Sequence, residues 1–404
     1  MIKKFYKIAL FFAAFFRPAI ISPSIPSTVI VLPSLAAWLM KRPDQLLRPI
    51  KKLELGALPL FFILAWSFAI DLYSGGLLEM QVRSQSATVL RFVLYIYIAY
   101  FFVERLTKDR SELANIILWT VSVQTLIALV MLADIRVKLF FFETLSGYTG
   151  AEKVFREHFF TVRIFGWSEE LFYAAPAMML SVLILFYRAS YLKWVSATSL
   201  VAVVAILNAR VSALAVILFF SQGRGIATVS AAAIALALGG GTALTLSSNA
   251  GQIYEISNYV FSDFSGGGSR TLNILQRHIF YPQNVFEWIF GSHVYYYGDT
   301  AVLKSDIGYV ITLMFGGIVY LGAWVLLLAR IIIGCTNSWV TRALLGAIFI
   351  GLGVKGLIFS GNAMTLLILV MYFDQRTTSR SSDSSRIRNS RVVGIQRGSS
   401  PQVT

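Results

Sequence analysis

The sequence predicts an all-α polytopic membrane protein with about twelve transmembrane helices and two long loops on the outer face. Three observations carry this. Hydrophobic residues make up 57% of the 404 residues and charged residues only 14%, too little polar surface for a soluble domain of this length. The mean hydropathy is +0.70, and the apolar residues fall in runs that approach the roughly 20 residues a helix needs to cross a bilayer. The formal net charge of +15 comes from basic residues gathered in every second gap between those runs, the distribution of loops held on the cytoplasmic side. A nucleic-acid-binding domain would instead present one basic face, so no nucleic-acid partner is expected.

Taken in order, the candidate spans are 5–16, 22–40, 55–72, 88–103, 114–132, 169–187, 193–208, 210–221, 225–246, 307–329, 341–359 and 361–373. The first is short and follows Lys3, Lys4 and Lys7. Arg17-Pro18 stands where a signal peptide would show a small-residue cleavage site, so this span is expected to be retained. The second contains Pro23, Pro26 and Pro33, which membrane helices tolerate when neighbours take up the freed carbonyls. Asn208-Ala209-Arg210 divides the long central apolar stretch, and Gly316-Gly317 lies inside the tenth span. Lys41, Arg42, Arg48, Lys51 and Lys52 form the strongest internal basic cluster and mark a cytoplasmic loop. Arg105, Lys108 and Arg110 fall on the same side, as do Arg188 and Lys193, then Arg224, then Arg330 and Arg342. With twelve spans both termini lie inside. Residues 1–373 then form the membrane domain, and the serine- and arginine-rich residues 374–404 form a disordered basic cytoplasmic tail, suited to rest on anionic lipid.

The two long outer loops, about 134–168 and 247–306, hold all three histidines, His158, His278 and His293. The single cysteine, Cys335, excludes an intrachain disulfide. No Cys/His cluster points to a metal, and no cofactor is expected.

Several cations and one carboxylate in these regions suit chemistry on a phosphorylated substrate. Arg210, between two apolar spans, fits either a functional cation or an arginine snorkelling to outer headgroups. Ser265-Gly-Gly-Gly-Ser-Arg270 is followed seven residues later by Arg277-His278. On a helix from about Thr271, Arg270 and Arg277 share a face two turns apart, and two guanidinium forks suit a diphosphate. The glycine run lacks the lysine and preceding strand of a nucleotide-binding loop. Trp288-Ile-Phe-Gly291 leads to Tyr295, Tyr296 and Tyr297, aromatics suited to an interfacial belt or to stacking on sugar rings. Asp306, where the chain re-enters the membrane, fits a base for an acceptor hydroxyl or a cap for the next helix. In the first loop Arg163-Ile-Phe-Gly166-Trp-Ser168 precedes a span that Ser168 is placed to cap.

From about residue 55 to 373 this ordered set resembles the Wzy-type O-antigen and capsular polysaccharide polymerases, relatives of the O-antigen ligases. The resemblance rests on Arg163-Ile-Phe-Gly166, Arg210-Val-Ser212, Ser269-Arg270, Trp288-Ile-Phe-Gly291, Ser305-Asp306-Ile-Gly308-Tyr309 and Gly316-Gly317-Ile318. It implies a metal-independent glycosyltransferase of the bacterial inner membrane that moves a growing glycan from undecaprenyl diphosphate to the next lipid-linked repeat. On that implication Arg210, Arg270, Arg277 and, more weakly, Arg163 hold the diphosphate, and Asp306 or His278 is the base. The implied partners are the undecaprenyl-diphosphate-linked oligosaccharide, the lipid bilayer, a chain-length regulator and a flippase. The ligases usually carry a histidine-asparagine pair near the position of Asp306, and its absence here favours polymerase. A ligase, a lipid-linked oligosaccharide flippase and a non-catalytic assembly partner are the competing readings. No internal repeat of the kind common in transporters is evident.

Overall fold

The computed structural model describes residues 2–18, 27–73, 85–144, 166–168, 201, 279–293, 307–354 and 362–377. Every regular element among the described residues is helical. In chain order these are α1 (Ile2–Phe16), α2 (Leu32–Lys41), α3 (Arg48–Leu53), α4 (Ala57–Tyr73), α5 (Gln85–Phe101), α6 (Arg110–Ala133), α7 (Ile135–Thr144), α8 (Val285–Phe290), α9 (Gly308–Cys335), α10 (Trp339–Gly353) and α11 (363–377). Short 3-10 turns link α1 to α4, and a π-helical turn, Phe102–Leu106, extends α5. The chain is therefore a helical membrane protein. Among the described residues four stretches, Pro43–Tyr73, Gln85–Leu106, Arg110–Ala133 and Gly308–Cys335, are long and apolar enough to cross a bilayer. The expected spans 169–187, 210–221 and 225–246 lie outside the described residues, as does 193–208 apart from Val201.

A proline and a set of ion pairs shape two of the element ends. Pro33 stands in the first turn of α2, where its missing N–H deprives the helix of nothing. The α-helical part of the expected span 22–40 is thus the ten-residue α2, entered through the 3-10 turn Ser27–Val31; residues 22–26 lie outside the described residues. At the other end α11 runs past Phe373 to residue 377, because Asp374 and Arg376 find partners. Arg110 Nε lies 2.6 Å from Asp374 and Arg376 Nη1 lies 2.7 Å from Glu54.

These are two of several ion pairs that tie helix ends together. Glu54, in the turn between α3 and α4, also pairs with Arg330 near the end of α9, and Lys52 pairs with Glu104 at the end of α5. Lys7 of α1 pairs with Glu112 in the first turn of α6. The helix ends joined in this way are the ones whose basic residues the sequence assigns to a single face.

Between its ends the bundle is held by aromatic packing. Phe11 meets Phe102 edge-on at 4.9 Å, and Phe92 meets Trp324 edge-on at 5.2 Å. Against α9, Cys335 Sγ donates to the Ile368 carbonyl of α11 at 3.2 Å, and the Tyr372 ring covers Gly334. A side chain at position 334 would have to displace that ring. Gly334→Leu is therefore expected to destabilise the protein by about 1–3 kcal/mol, the usual cost of overpacking. Because Cys335 is buried, a thiol-reactive dye reports unfolding in detergent, and the variant should react at a lower temperature than the parent.

Candidate functional site

The site begins with a break in a membrane helix. Inside α9, Gly317 has φ +71° and ψ −173°, a conformation open to glycine and costly for other residues. The break strips neighbouring carbonyls of their helical partners, and one of them is taken up by the second long loop. Met314 O accepts from Ser292 N at 2.7 Å and from Ser292 Oγ at 2.9 Å. Upstream, Asn284 caps α8 by accepting from Glu287 N at 2.9 Å, as its position after Pro282 allows. Gly291, at φ +86°, ends α8. A Cβ at Gly291 would overlap the Phe315 carbonyl, and one at Gly317 would overlap the Ile289 carbonyl. Trp288-Ile-Phe-Gly291 and Gly316-Gly317 thus meet backbone to backbone, an approach only small residues permit.

One turn below the break a buried polar network crosses from α9 to α4 and α5. Tyr320 Oη shares a hydrogen bond of 2.7 Å with Ser67 Oγ and accepts from Gln85 Nε2 at 3.1 Å. Asp71 Oδ2 accepts from Ser86 N at 2.8 Å, so the last turn of α4 caps the positive end of α5. Ser67, Asp71, Gln85, Ser86 and Tyr320 are all buried. Among the described residues, Gln85 Oε1 and Ser86 Oγ have no hydrogen-bond partner. At the loop side Trp66 stacks on Phe290 at 6.1 Å, and Tyr73 meets the His293 ring at 6.5 Å. His293 is itself at φ +62°, an outlier for a residue with a side chain.

The residues on which the sequence placed the chemistry, Arg163, Arg210, Arg270, Arg277, His278 and Asp306, lie outside the described residues. Several of their chain neighbours do not. Phe280 packs against Ile307, Val310 and Met314 at the start of α9. His278 is two residues along the chain from Phe280, and Asp306 is one from Ile307. The N-cap position of α9 is Ile307, with no side-chain cap. In the first loop, Trp167 N donates to Gln124 Oε1 of α6 at 3.1 Å, which fixes the end of Arg163-Ile-Phe-Gly166. Of the other loop cations, Arg136 is bound to Asp134, with Nη2 2.9 Å from Oδ2. That hydrogen bonding holds the Asp134 carboxyl below its ordinary value. Lys138 is buried in α7, and the burial pushes its ammonium down to about 8 from the ordinary 10.5.

The sequence reading passed over Asp71, Gln85, Ser86 and Tyr320. A signal was present for one of them: Asp71 is the sole charged residue in the apolar run 57–73, and a carboxylate there is costly unless it has partners. No protein-family model, curated protein or solved structure matches this chain.

Two outcomes follow from this geometry. Gly291→Ala and Gly317→Ala each put a methyl group into an opposing carbonyl, and both should lose the folded, monodisperse peak on size exclusion. Gly322→Ala in the same helix, with nothing near its Cβ, should keep it. Lys138 has the opposite sign from a stabilising cation. Between about pH 8 and 10.5 the unfolded chain binds the proton that the native chain has lost, so stability rises with pH there. Below pH 8 both states are protonated and the full burial cost, on the order of 3 kcal/mol, is present. Lys138→Met should therefore remove the rise in melting temperature that the parent shows between about pH 8 and 10.5.

Proposed function

We propose that this chain polymerises lipid-linked polysaccharide repeats at the outer face of a bacterial inner membrane, crossing it about twelve times with both termini cytoplasmic. In this reading an acceptor sugar hydroxyl attacks the anomeric carbon of the growing glycan. The carbon–oxygen bond to undecaprenyl diphosphate breaks, and the diphosphate leaves with the electron pair. Fixed cations stabilise the charge that develops on it, the role assigned to Arg210, Arg270, Arg277 and Arg163. The hydroxyl proton passes to Asp306 or His278.

The observation that carries this reading is the packing of Phe280 on Ile307, Val310 and Met314. Phe280 is two residues along the chain from His278, and Ile307 is one from Asp306, so this packing supports placing at one site the two pieces of sequence that the proposed chemistry needs there. The interlock of Trp288–Gly291 with Gly316-Gly317 adds support, since both motifs belong to the set on which the resemblance rests.

A second reading, a lipid-linked oligosaccharide flippase, draws on the broken α9 and the buried Asp71, because transporters build substrate sites at discontinuous helices. The break lies nine residues into the 28-residue α9, well short of its midpoint, and this favours a site near one face over a midplane site.

A gel of surface polysaccharide from a strain lacking the gene separates the readings. The polymerase reading expects loss of the ladder with single repeats still attached to the lipid core. Full-length polymer accumulating on the carrier would point to a ligase, and repeats trapped on the cytoplasmic side to a flippase. Within the polymerase reading, Arg270→Lys keeps the charge but loses the bidentate fork. It should shorten the polymer severely while the protein still inserts, and normal long chains would remove Arg270 from the site.

A further inference from the structure

We infer that α8 is a re-entrant membrane segment, with its apolar surface immersed among lipid acyl chains. The sequence places Val285–Phe290 in a long outer loop, yet five of its six residues are apolar and none is fully buried. Val285 is 75% exposed and Phe286 63%, an arrangement unfavourable in water and ordinary in hydrocarbon. The one charged residue, Glu287, accepts from Gln283 N and Asn284 Nδ2, each at 2.9 Å. Its carboxylate is thereby held at the end of α8 where the segment enters. There Tyr281 also stacks on Trp288 at 6.1 Å, a pair of the kind that sits at headgroup level.

Depth follows from the contact with α9. Counted over both parts, α9 has 28 residues, up to about 42 Å of helix; centred on a hydrocarbon layer of about 30 Å it would extend roughly 6 Å beyond each side. Gly317, nine residues in, is about 13 Å along the axis, hence about 7 Å inside the hydrocarbon. Ile289 and Gly291 touch the backbone at that level. The exposed apolar surface of α8 then continues onto Ile318, 57% exposed, and Val319 of α9, the strip of α9 that faces lipid. The backbone at this depth is satisfied within the protein, since Gly291 N bonds Glu287 O and Ser292 bonds Met314 O, which is the condition for irregular chain inside a bilayer. Lipid is therefore the one occupant consistent with the depth, the composition and the continuity of the surface. The inference needs only that the chain spans a bilayer and is independent of the polymerase reading.

The test labels Phe286→Cys, and separately Val285→Cys, with an environment-sensitive fluorophore in the full chain carrying Cys335→Ser, reconstituted in phosphatidylcholine vesicles. Arg136→Cys, at an exposed position, is the aqueous control. Nitroxides placed on the lipid acyl chains should quench most of the emission at 285 and 286, and aqueous iodide should quench little there while quenching the control. Iodide quenching equal to the control would overturn the inference. So would protection from both quenchers, which would mean that protein and not lipid covers α8.

Discussion

A helix that breaks inside a membrane must hand its exposed backbone groups to other parts of the protein, because lipid accepts no hydrogen bonds. In this chain that requirement falls on α9 at Gly316-Gly317, and the surrounding structure follows from it. Ser292 takes the Met314 carbonyl. To bring Ser292 there the loop needs a short capped helix that ends on a glycine, which Asn284 and Gly291 provide. The break also frees Tyr320, one turn further on, to serve as the hub between Ser67 of α4 and Gln85 of α5. Asp71 then closes the arrangement by capping α5 through Ser86 N. Loop, broken helix and the α4–α5 pair are thus one connected hydrogen-bonded unit.

The opposite end is held by different physics. Exposed ion pairs contribute little one at a time, typically up to about 1 kcal/mol, but here they share partners. Glu54 receives both Arg330 and Arg376, while Lys52 pairs with Glu104 and stands over the Tyr100 ring at 4.9 Å. The Tyr372 hydroxyl donates to the Lys52 carbonyl at 2.7 Å. These contacts set the register of α9 and α11 against the bend between α3 and α4. They also explain why α11 outlasts its apolar run: the polar residues that end the hydropathy signal at Phe373 are the ones that find ion-pair partners.

Hydropathy marked the four described stretches long and apolar enough to cross a bilayer, because a span is a one-dimensional property set by length and apolar content. It did not give the change from 3-10 to α geometry at Leu32, because Pro33 reads the same inside a long span as in the first turn of a helix. The Gly316-Gly317 pair was legible as a feature, but not as a break. Helical glycine and left-handed glycine are spelled alike, and only the approach of Ile289 and Gly291 decides between them. The polar network escaped notice for a related reason: Ser67, Gln85 and Tyr320 are individually ordinary in membrane helices, and become a site only when three helices bring them together.

The contact between Phe280 and the start of α9 bears on how a loop of this length could do chemistry at all. A long loop closed only at its ends leaves catalytic groups with too much freedom to act together, since productive geometry has to be set beforehand. Besides running into α9 at Ile307, the second loop is fixed to it at two points: Phe280 packs on Ile307, Val310 and Met314, and Ser292 bonds Met314. Both lie within the first turns of α9, before the break. Residues 279–293 of the loop are thereby tied back to the first turns of α9. Arg277-His278 ends two residues along the chain from Phe280, and Asp306 is one from Ile307. A site assembled from those residues would inherit its rigidity from α9. The glycine break would then matter for function without any glycine touching substrate, because it is what allows the loop to be tied there.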